Sequence, residues 1–253
     1  MSMIQTDPSI LFMDPPEHQR VRRLLARAFT SKHIEWMRPR IERMVTGLLD
    51  GMVEHGHPAD DMIGVLAAAL DDEDFSEDEL AVFGVTLLLA GDETASNQIA
   101  NFTFTLLTHP DQLALLRAEP ELLPGAVEEL LRFVPLGTGT GYPFIATRDV
   151  EFPGATLREG EAITVHTGAA NRDPQLCDDP DELDLRRPPG KHFAFGHGAH
   201  YCLGAELARI ELQVALRELL RRFPGLELAV PADKVEFRDD RLARGPATLP
   251  VRW

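Results

Sequence analysis

The chain carries two cysteines, and one of them, Cys202, sits among residues that change what a thiol can do. It lies in FAFGHGAHYCLG, residues 193–204, with Gly196, Gly198 and Gly204 and with His197 and His200 beside it in sequence. Glycines so closely spaced supply backbone angles, or a close approach to the main chain, that side chains would forbid. A strong helical pattern starts just after them, so amide N–H groups and the helix dipole stand ready to stabilise a thiolate. Three chemistries suit a cysteine in this setting. It can be a buried small hydrophobe, the ordinary fate of a lone cysteine and the reading that suits Cys177. It can join His192, His197 and His200 around zinc, although no CxxC and no histidine pair at helical spacing accompanies it. Or it can be an axial thiolate to haem iron, which needs one cysteine, a loop able to lie against a flat macrocycle, and N–H groups that tune the sulfur.

Three other constellations carry chemistry. EELLR places Glu129 and Arg132 on one helix face. AGDETAS puts Ala90, Gly91, Asp92, Glu93 and Thr94 midway along a long apolar helix. An acid and a hydroxyl buried there cost free energy unless they serve a purpose. Glycine and threonine can also open the helical hydrogen-bond ladder and leave room for a small ligand or water. MDPPEHQRVRR supplies His18 and Arg22, which at i and i+4 share a face continued by Leu25 and Phe29. Arg20, Arg23 and Arg27 fall on a different face, where simple solvation accounts for them.

The elements that must position these residues are mostly helical. Residues 16–30 read as an amphipathic helix with Val21, Leu24, Leu25 and Ala28 at helical spacing. Residues 33–54 read as a second helix. The acidic run 71–79 reads as solvated linker and helix start, with Ser76 and Glu79 spaced as a capping box. The helical pattern then continues to about Thr108, and its apolar middle, VTLLLAG, predicts burial. THPDQ stops it and starts another helix, and a further one covers about 123–133, before Pro135. The following stretch is rich in Gly, Thr and Val and reads as small hairpins and turns. GAELARIELQVALRELLRRF is again a strong helix, with Leu207, Ile210 and Val214 on one face, and the tail KVEFRDDRLARGPATLPVRW reads as a terminal hairpin. GTGTG, 137–141, does not lie between a strand and a helix and is a poor phosphate loop. The fold class is mainly α with minor β.

At 253 residues and 44% hydrophobic content the chain can form one large domain or two small ones. A net charge of -16 argues against nucleic acid and anionic membranes as general partners. No apolar run reaches bilayer-spanning length, and MSMIQTDPSI lacks a signal pattern. Two cysteines make no disulfide framework, so a soluble cytoplasmic protein is expected.

The stretch Phe195–Gly204 resembles the haem-binding loop of the cytochrome P-450 family. Phe195, Gly196, Gly198, His200, Cys202 and Gly204 stand at its signature positions. The other constellations follow in the family's order, and the ending LPVRW is similar to that of soluble bacterial members. Arg187, fifteen positions before Cys202, stands where the resemblance implies a buried network with Glu129 and Arg132. Ala90, Gly91, Glu93 and Thr94 stand where the family binds dioxygen and relays protons, with Ala95 at a position often held by a second hydroxyl residue. His18 and Arg22 stand where it contacts haem propionates. The resemblance implies haem b with Cys202 as axial thiolate, in a single haem-binding domain over residues 1–253. It implies a monooxygenase that places one oxygen atom of O2 into a small apolar molecule, with Glu93 and Thr94 catalytic. It implies electrons from a ferredoxin-like or flavin reductase partner, docked on the arginine face of the first helix. A peroxide-driven haem enzyme and a non-catalytic binding partner are the alternatives.

The chain departs from the family in length. The resemblance implies an N-terminal β-rich part and first helices before SILFMDPPEH, which this sequence does not show, and a second gap between HGHPAD and DMIGVLAAAL, where the family carries the helices that roof the active site. An open haem face leaves apolar helix surface uncovered, which predicts a homo-oligomer or rearranged helices. Of the segments that contact substrate in the family, the middle of the long helix, 136–144 and the tail near ARGPATLP remain. Phe144 also replaces a usual arginine. That leaves His18, Arg22 and His200 to hold two carboxylates and removes roughly 1.5–3 kcal/mol of charged hydrogen bonding.

Overall fold

A computed structural model describes residues 13–29, 77–137, 143–238 and 243–253, with single positions at 10, 35, 38, 39 and 43. Of the expected helix over 33–54 only residues 35, 38, 39 and 43 are described, each helical, while the Ser76 cap and GTGTG beyond Gly137 lie outside the described residues. In chain order the helices among them are α1 (Glu17–Ala28), α2 (Glu77–Thr108), α3 (Pro110–Ala118), α4 (Leu123–Phe133), the single turn α5 (Thr167–Ala170) and α6 (Ala205–Arg222). The strands are short: β1 (Phe144–Ile145), β2 (Val150–Phe152), β3 (Ala155–Leu157), β4 (Ala162–Ile163), β5 (Glu227–Leu228), β6 (Phe237–Arg238), β7 (Gly245–Pro246) and β8 (Val251–Arg252). The chain divides into two compact units, 1–96 with 197–224 and 97–196 with 225–253.

In the first unit, α1 turns Val21 and Leu25 inward one turn apart, where Met13, Phe29, Leu87 and Leu203 pack against them. Ile210 and Val214 of α6 form a second cluster, joined by Leu207 and Phe29, so the face read from the sequence is the packed one. Arg221 and Arg222 close the last turn of α6, where cations complement the helix dipole.

In the second unit, α4 buries Leu123, Ala126, Val127, Leu130 and Leu131, the spacing of a single helical stripe. Pro124 sits in its first turn, where a missing N–H costs nothing, and Pro135 keeps Val134 extended and ends it. The second half of α2 is buried through Phe102 and Leu106.

The apolar middle of α2 is not buried as expected. Leu87 packs against Val21 and Leu25, while Leu89 is 70% exposed and Ala90, Gly91 and Asp92 are exposed too. Two residues turn a helix by about 200°, so a run that is apolar on every side still offers one face at a time to a neighbour. The ladder also stays closed. α2 runs unbroken through Gly91, and Thr94 Oγ1 donates back to the Ala90 carbonyl at 2.6 Å, as Ser96 Oγ does to Asp92.

All strand pairs are antiparallel: β1 with β4, β2 with β3, β5 with β8 and β6 with β7. The β2–β3 turn places Gly154 at φ 86°, a left-handed angle that suits glycine. The tail forms the expected hairpin only in part. β6 pairs with β7, whereas β8 leaves to pair with β5, because Pro246 and Pro250 lack the N–H groups that would prolong one ladder into the other. Among the described residues, no helix is long and apolar enough to cross a membrane.

Burial on α6 pushes the Glu211 carboxyl up from 4.5 to about 7. The folded chain therefore keeps a proton that the unfolded chain releases, and stability falls as pH rises from about 4.5 to 7, then stays low. Glu211→Gln removes this loss. We expect it to raise Tm by roughly 2–4 °C at pH 8 and to change little at pH 4.5, read by thermal denaturation.

Candidate functional site

The cysteine loop owes its shape to two glycines. Gly196 and Gly198 both sit at φ 73°, one ending a turn closed by its own N–H on the Phe193 carbonyl, the other opening a 3-10 turn through His200. Gly204 then caps α6. Cys202 is exposed to solvent, although the surrounding protein still desolvates its sulfur. Desolvation pushes its thiol up, against the pull of the Gly204 N–H and of the Arg22 and Arg209 charges. The helix-mouth stabilisation expected from the sequence is present in that N–H bond, but burial outweighs it.

His18 is 1% exposed and, among the described residues, neither ring nitrogen has a hydrogen-bond partner. Its ring lies 4.1 Å from that of His200, and Arg22 donates to the Tyr201 carbonyl. Burial first, then the His200 and Arg22 charges, hold the His18 imidazole below its ordinary range, with Asp14 opposing them. A buried imidazole with both nitrogens orphaned is costly. Beside a second imidazole and a guanidinium, it is a donor set suited to an incoming carboxylate. The residues present therefore fit haem, whose propionates are carboxylates. Among the described residues, no group of three or more His, Cys, Asp or Glu could hold a metal ion, so the zinc ligand set is not assembled. His192 instead pairs with Glu128 at 3.0 Å.

On α2, Glu93 and Thr94 are half-buried, and a Cβ built on Gly91 would meet no atom within 4 Å. That stretch offers a small-residue surface. Phe144 is 59% exposed on β1 and brings no charge.

Glu129, Arg132 and Arg187 are brought together in the second unit. Arg132 grips Glu129 through two parallel bonds of 2.8 Å, and Arg187 Nε reaches the same carboxylate at 3.1 Å. Glu129 and Arg132 are 4% and 5% exposed. The spare guanidinium donors hold carbonyls: Arg132 those of Asn171, Pro180 and Glu182, Arg187 those of Asp178, Asp179 and Glu182. Asp179 is thereby held at φ 44°, an angle that aspartate tolerates better than most residues.

Asn171, which the sequence reading passed over, is 2% exposed and joins this network to the cysteine loop, since its Oδ1 accepts the Phe193 N–H at 2.6 Å. The signal available was an asparagine opening the turn Asn-Arg-Asp-Pro. Removing Glu129 leaves two guanidiniums near each other without their anion. Glu129→Ala should cost about 3–5 kcal/mol, read from urea unfolding at pH 7.

A cytochrome P-450 family model matches residues 57–247. Nocardicin C N-oxygenase of Nocardia uniformis subsp. tsuyamanensis is 41% identical over 315 aligned positions, covering 97% of this chain and 79% of that protein. The mycinamicin IV hydroxylase/epoxidase of Micromonospora griseorubida is 38% identical, covering 96% and 79%. Among solved structures, the LnmA cytochrome P-450 hydroxylase from the leinamycin biosynthetic pathway of Streptomyces atroolivaceus superposes with a TM-score of 0.89 at 45% identity, covering 98% of this chain and 82% of that one. The 315 aligned positions outnumber the 253 residues here, so relatives carry residues inside the aligned span that this chain lacks. Members hold haem b through a cysteine thiolate, bind small molecules and take electrons from a donor protein. The chain belongs to the cytochrome P-450 family and, with it, to the haem-thiolate monooxygenases.

Proposed function

We propose that residues 1–253 form a single haem-binding domain that places one oxygen atom of O2 into a small apolar molecule, with Cys202 as the axial thiolate. The observation that carries this reading is His18, buried with both nitrogens orphaned against His200, on the helix whose Arg22 anchors the residue before Cys202. Haem b held by a thiolate supplies dioxygen activation. Everything else falls to the chain. His18, Arg22 and His200 bind carboxylates, and a carboxylate beside His18 reverses the balance that now disfavours its protonated form. Gly196 and Gly198 keep the loop backbone free of Cβ atoms, with Phe195 at its edge, and the Gly204 N–H tunes the sulfur. Ala90 and Gly91 offer the flat small-residue surface of α2.

Thr94 Oγ1 donates to its own helix, which leaves its lone pairs to accept a hydrogen bond and, after rotation, its proton to be donated onward. Glu93, next in the chain and half-buried, exchanges that proton with solvent. The segments 136–144 and 243–250 border the substrate. Arg20 and Arg23, exposed on α1, face a ferredoxin or flavin reductase donor. The protein works in the cytoplasm, as a homo-oligomer that covers apolar helix surface.

The exposure of Leu89, Ala90, Gly91 and Asp92 favours a second reading, a peroxygenase that takes hydrogen peroxide as oxidant. Turnover with peroxide and no electron donor separates it from the first.

The reduced carbon monoxide difference spectrum of haem-loaded protein tests the core of the proposal. A Soret band at the long-wavelength thiolate position is expected, and Cys202→Ser should abolish it. His18→Ala should weaken haem binding about tenfold or more, read by haem titration. A chain that takes up no haem overturns both readings.

A further inference from the structure

We propose that Gln98 and Asn101, with Asn97 packed beside them against Gly245, are specificity-positioning residues: a ladder of buried side-chain amides on α2 that fixes the inner ends of both substrate-bordering segments. The proposal rests on the reading of 136–144 and 243–250 given above.

The three amides are 9%, 5% and 2% exposed. Asn101 Nδ2 donates to the Arg244 carbonyl at 2.9 Å and to Gln98 Oε1 at 2.8 Å, and Gln98 Nε2 donates onward to the Val134 carbonyl at 3.1 Å. One connected chain of bonds thus leads from the tail, across α2, to the residue that ends α4. The two segments are also tied to each other, by the Arg244 N–H on the Leu136 carbonyl at 2.6 Å and by the bridge between Gly137 and Ala243. β7 closes onto the helix only because residue 245 is glycine, for a Cβ there would lie 2.1 Å from Asn97 Oδ1.

Amides are an expensive choice for a buried helix face, since each must find partners or lose several hydrogen bonds to water. Leucine or alanine would stabilise α2 more simply. The ladder is not even fully satisfied, because Asn101 Oδ1 is buried without a partner. The Gln98 and Asn101 donors go to Val134, two residues before one segment, to Arg244 inside the other, and to each other, and the Arg244–Leu136 bond and the Gly137–Ala243 bridge then keep Leu136–Gly137 and Ala243–Gly245 in register on α2. None of the three needs to touch substrate. They decide where the backbone that does so begins.

The test compares Asn101→Ala, the milder Gln98→Ala, and Leu113→Ala on α3, a buried control away from the ladder. In amide hydrogen exchange, Asn101→Ala should speed exchange about tenfold in peptides covering both 134–137 and 243–247. Gln98→Ala should do so mainly in 134–137, and Leu113→Ala in neither. In haem-loaded protein, spectral titration with imidazole and with the larger 4-phenylimidazole reads the consequence. Asn101→Ala should shift the Kd of 4-phenylimidazole by about fivefold or more and leave that of imidazole unchanged, a split that loss of stability alone does not produce. Exchange that rises everywhere or nowhere, or an equal response to both azoles in protein that binds haem, overturns the ladder. Failure of all variants and the parent chain to bind haem overturns the functional reading, and the specificity role with it, even where exchange responds locally.

Discussion

One carboxylate, that of Glu129, holds the second unit to a single arrangement. Two guanidiniums share it, and they in turn grip carbonyls from Asn171 to Glu182. An ion this buried survives only when every remaining donor and acceptor is met. That condition, rather than the attraction itself, makes it restrictive: moving a carbonyl that Arg132 holds would strand a guanidinium proton away from water. Arginine is suited to the role because its planar fork keeps five donors in fixed directions, where lysine would offer one mobile charge. Through Asn171 the constraint passes on to Phe193, so the start of the cysteine loop inherits the rigidity of the Glu129–Arg132 ion pair, far from it in sequence.

The first unit shows the opposite condition. Among the described residues, His18 has no partner for either nitrogen, its nearest ring is another imidazole, and burial pushes the Cys202 thiol up. Each is unfavourable for a chain by itself, and each is relieved by the same class of visitor, a metal at sulfur with carboxylates close by. Natural chains break local rules where function requires it and stay consistent elsewhere. The satisfied ions of the second unit and the unsatisfied groups of the first follow that division.

What could be read from the sequence was whatever depends on neighbours along the chain. α4 was legible at about 123–133 because Pro135 bounds it, and the structure adds Pro124 in its first turn and a buried stripe at helical spacing. The packed face of α6 was legible from the spacing of Leu207, Ile210 and Val214. Glu129, Arg132 and Arg187 were found from the spacing of a family motif, since their meeting depends on a loop that no periodicity describes. Tertiary choices were hidden. Whether Leu87 or Leu89 would be covered, whether β8 would pair with β7 or with β5, and that Asn171 and Asn101 would bridge distant segments are all decided by partners remote in sequence. An asparagine offers no pattern that says which carbonyl it will meet.

α2 joins these two conditions in one helix. Its second half is buried and bonded through its amides, while Leu89 to Asp92 are exposed although most of them are apolar or small. Exposed apolar surface of this kind gains free energy whenever something flat and apolar covers it, at about 25 cal/mol per Å2. A ligand that binds only the folded chain adds its own binding free energy to stability. The orphaned His18 and the bare stretch of α2 therefore act in the same direction. Under the proposed haem site the polar contact and the apolar one would both become favourable on one binding event, which would link affinity for haem to stability of the first unit.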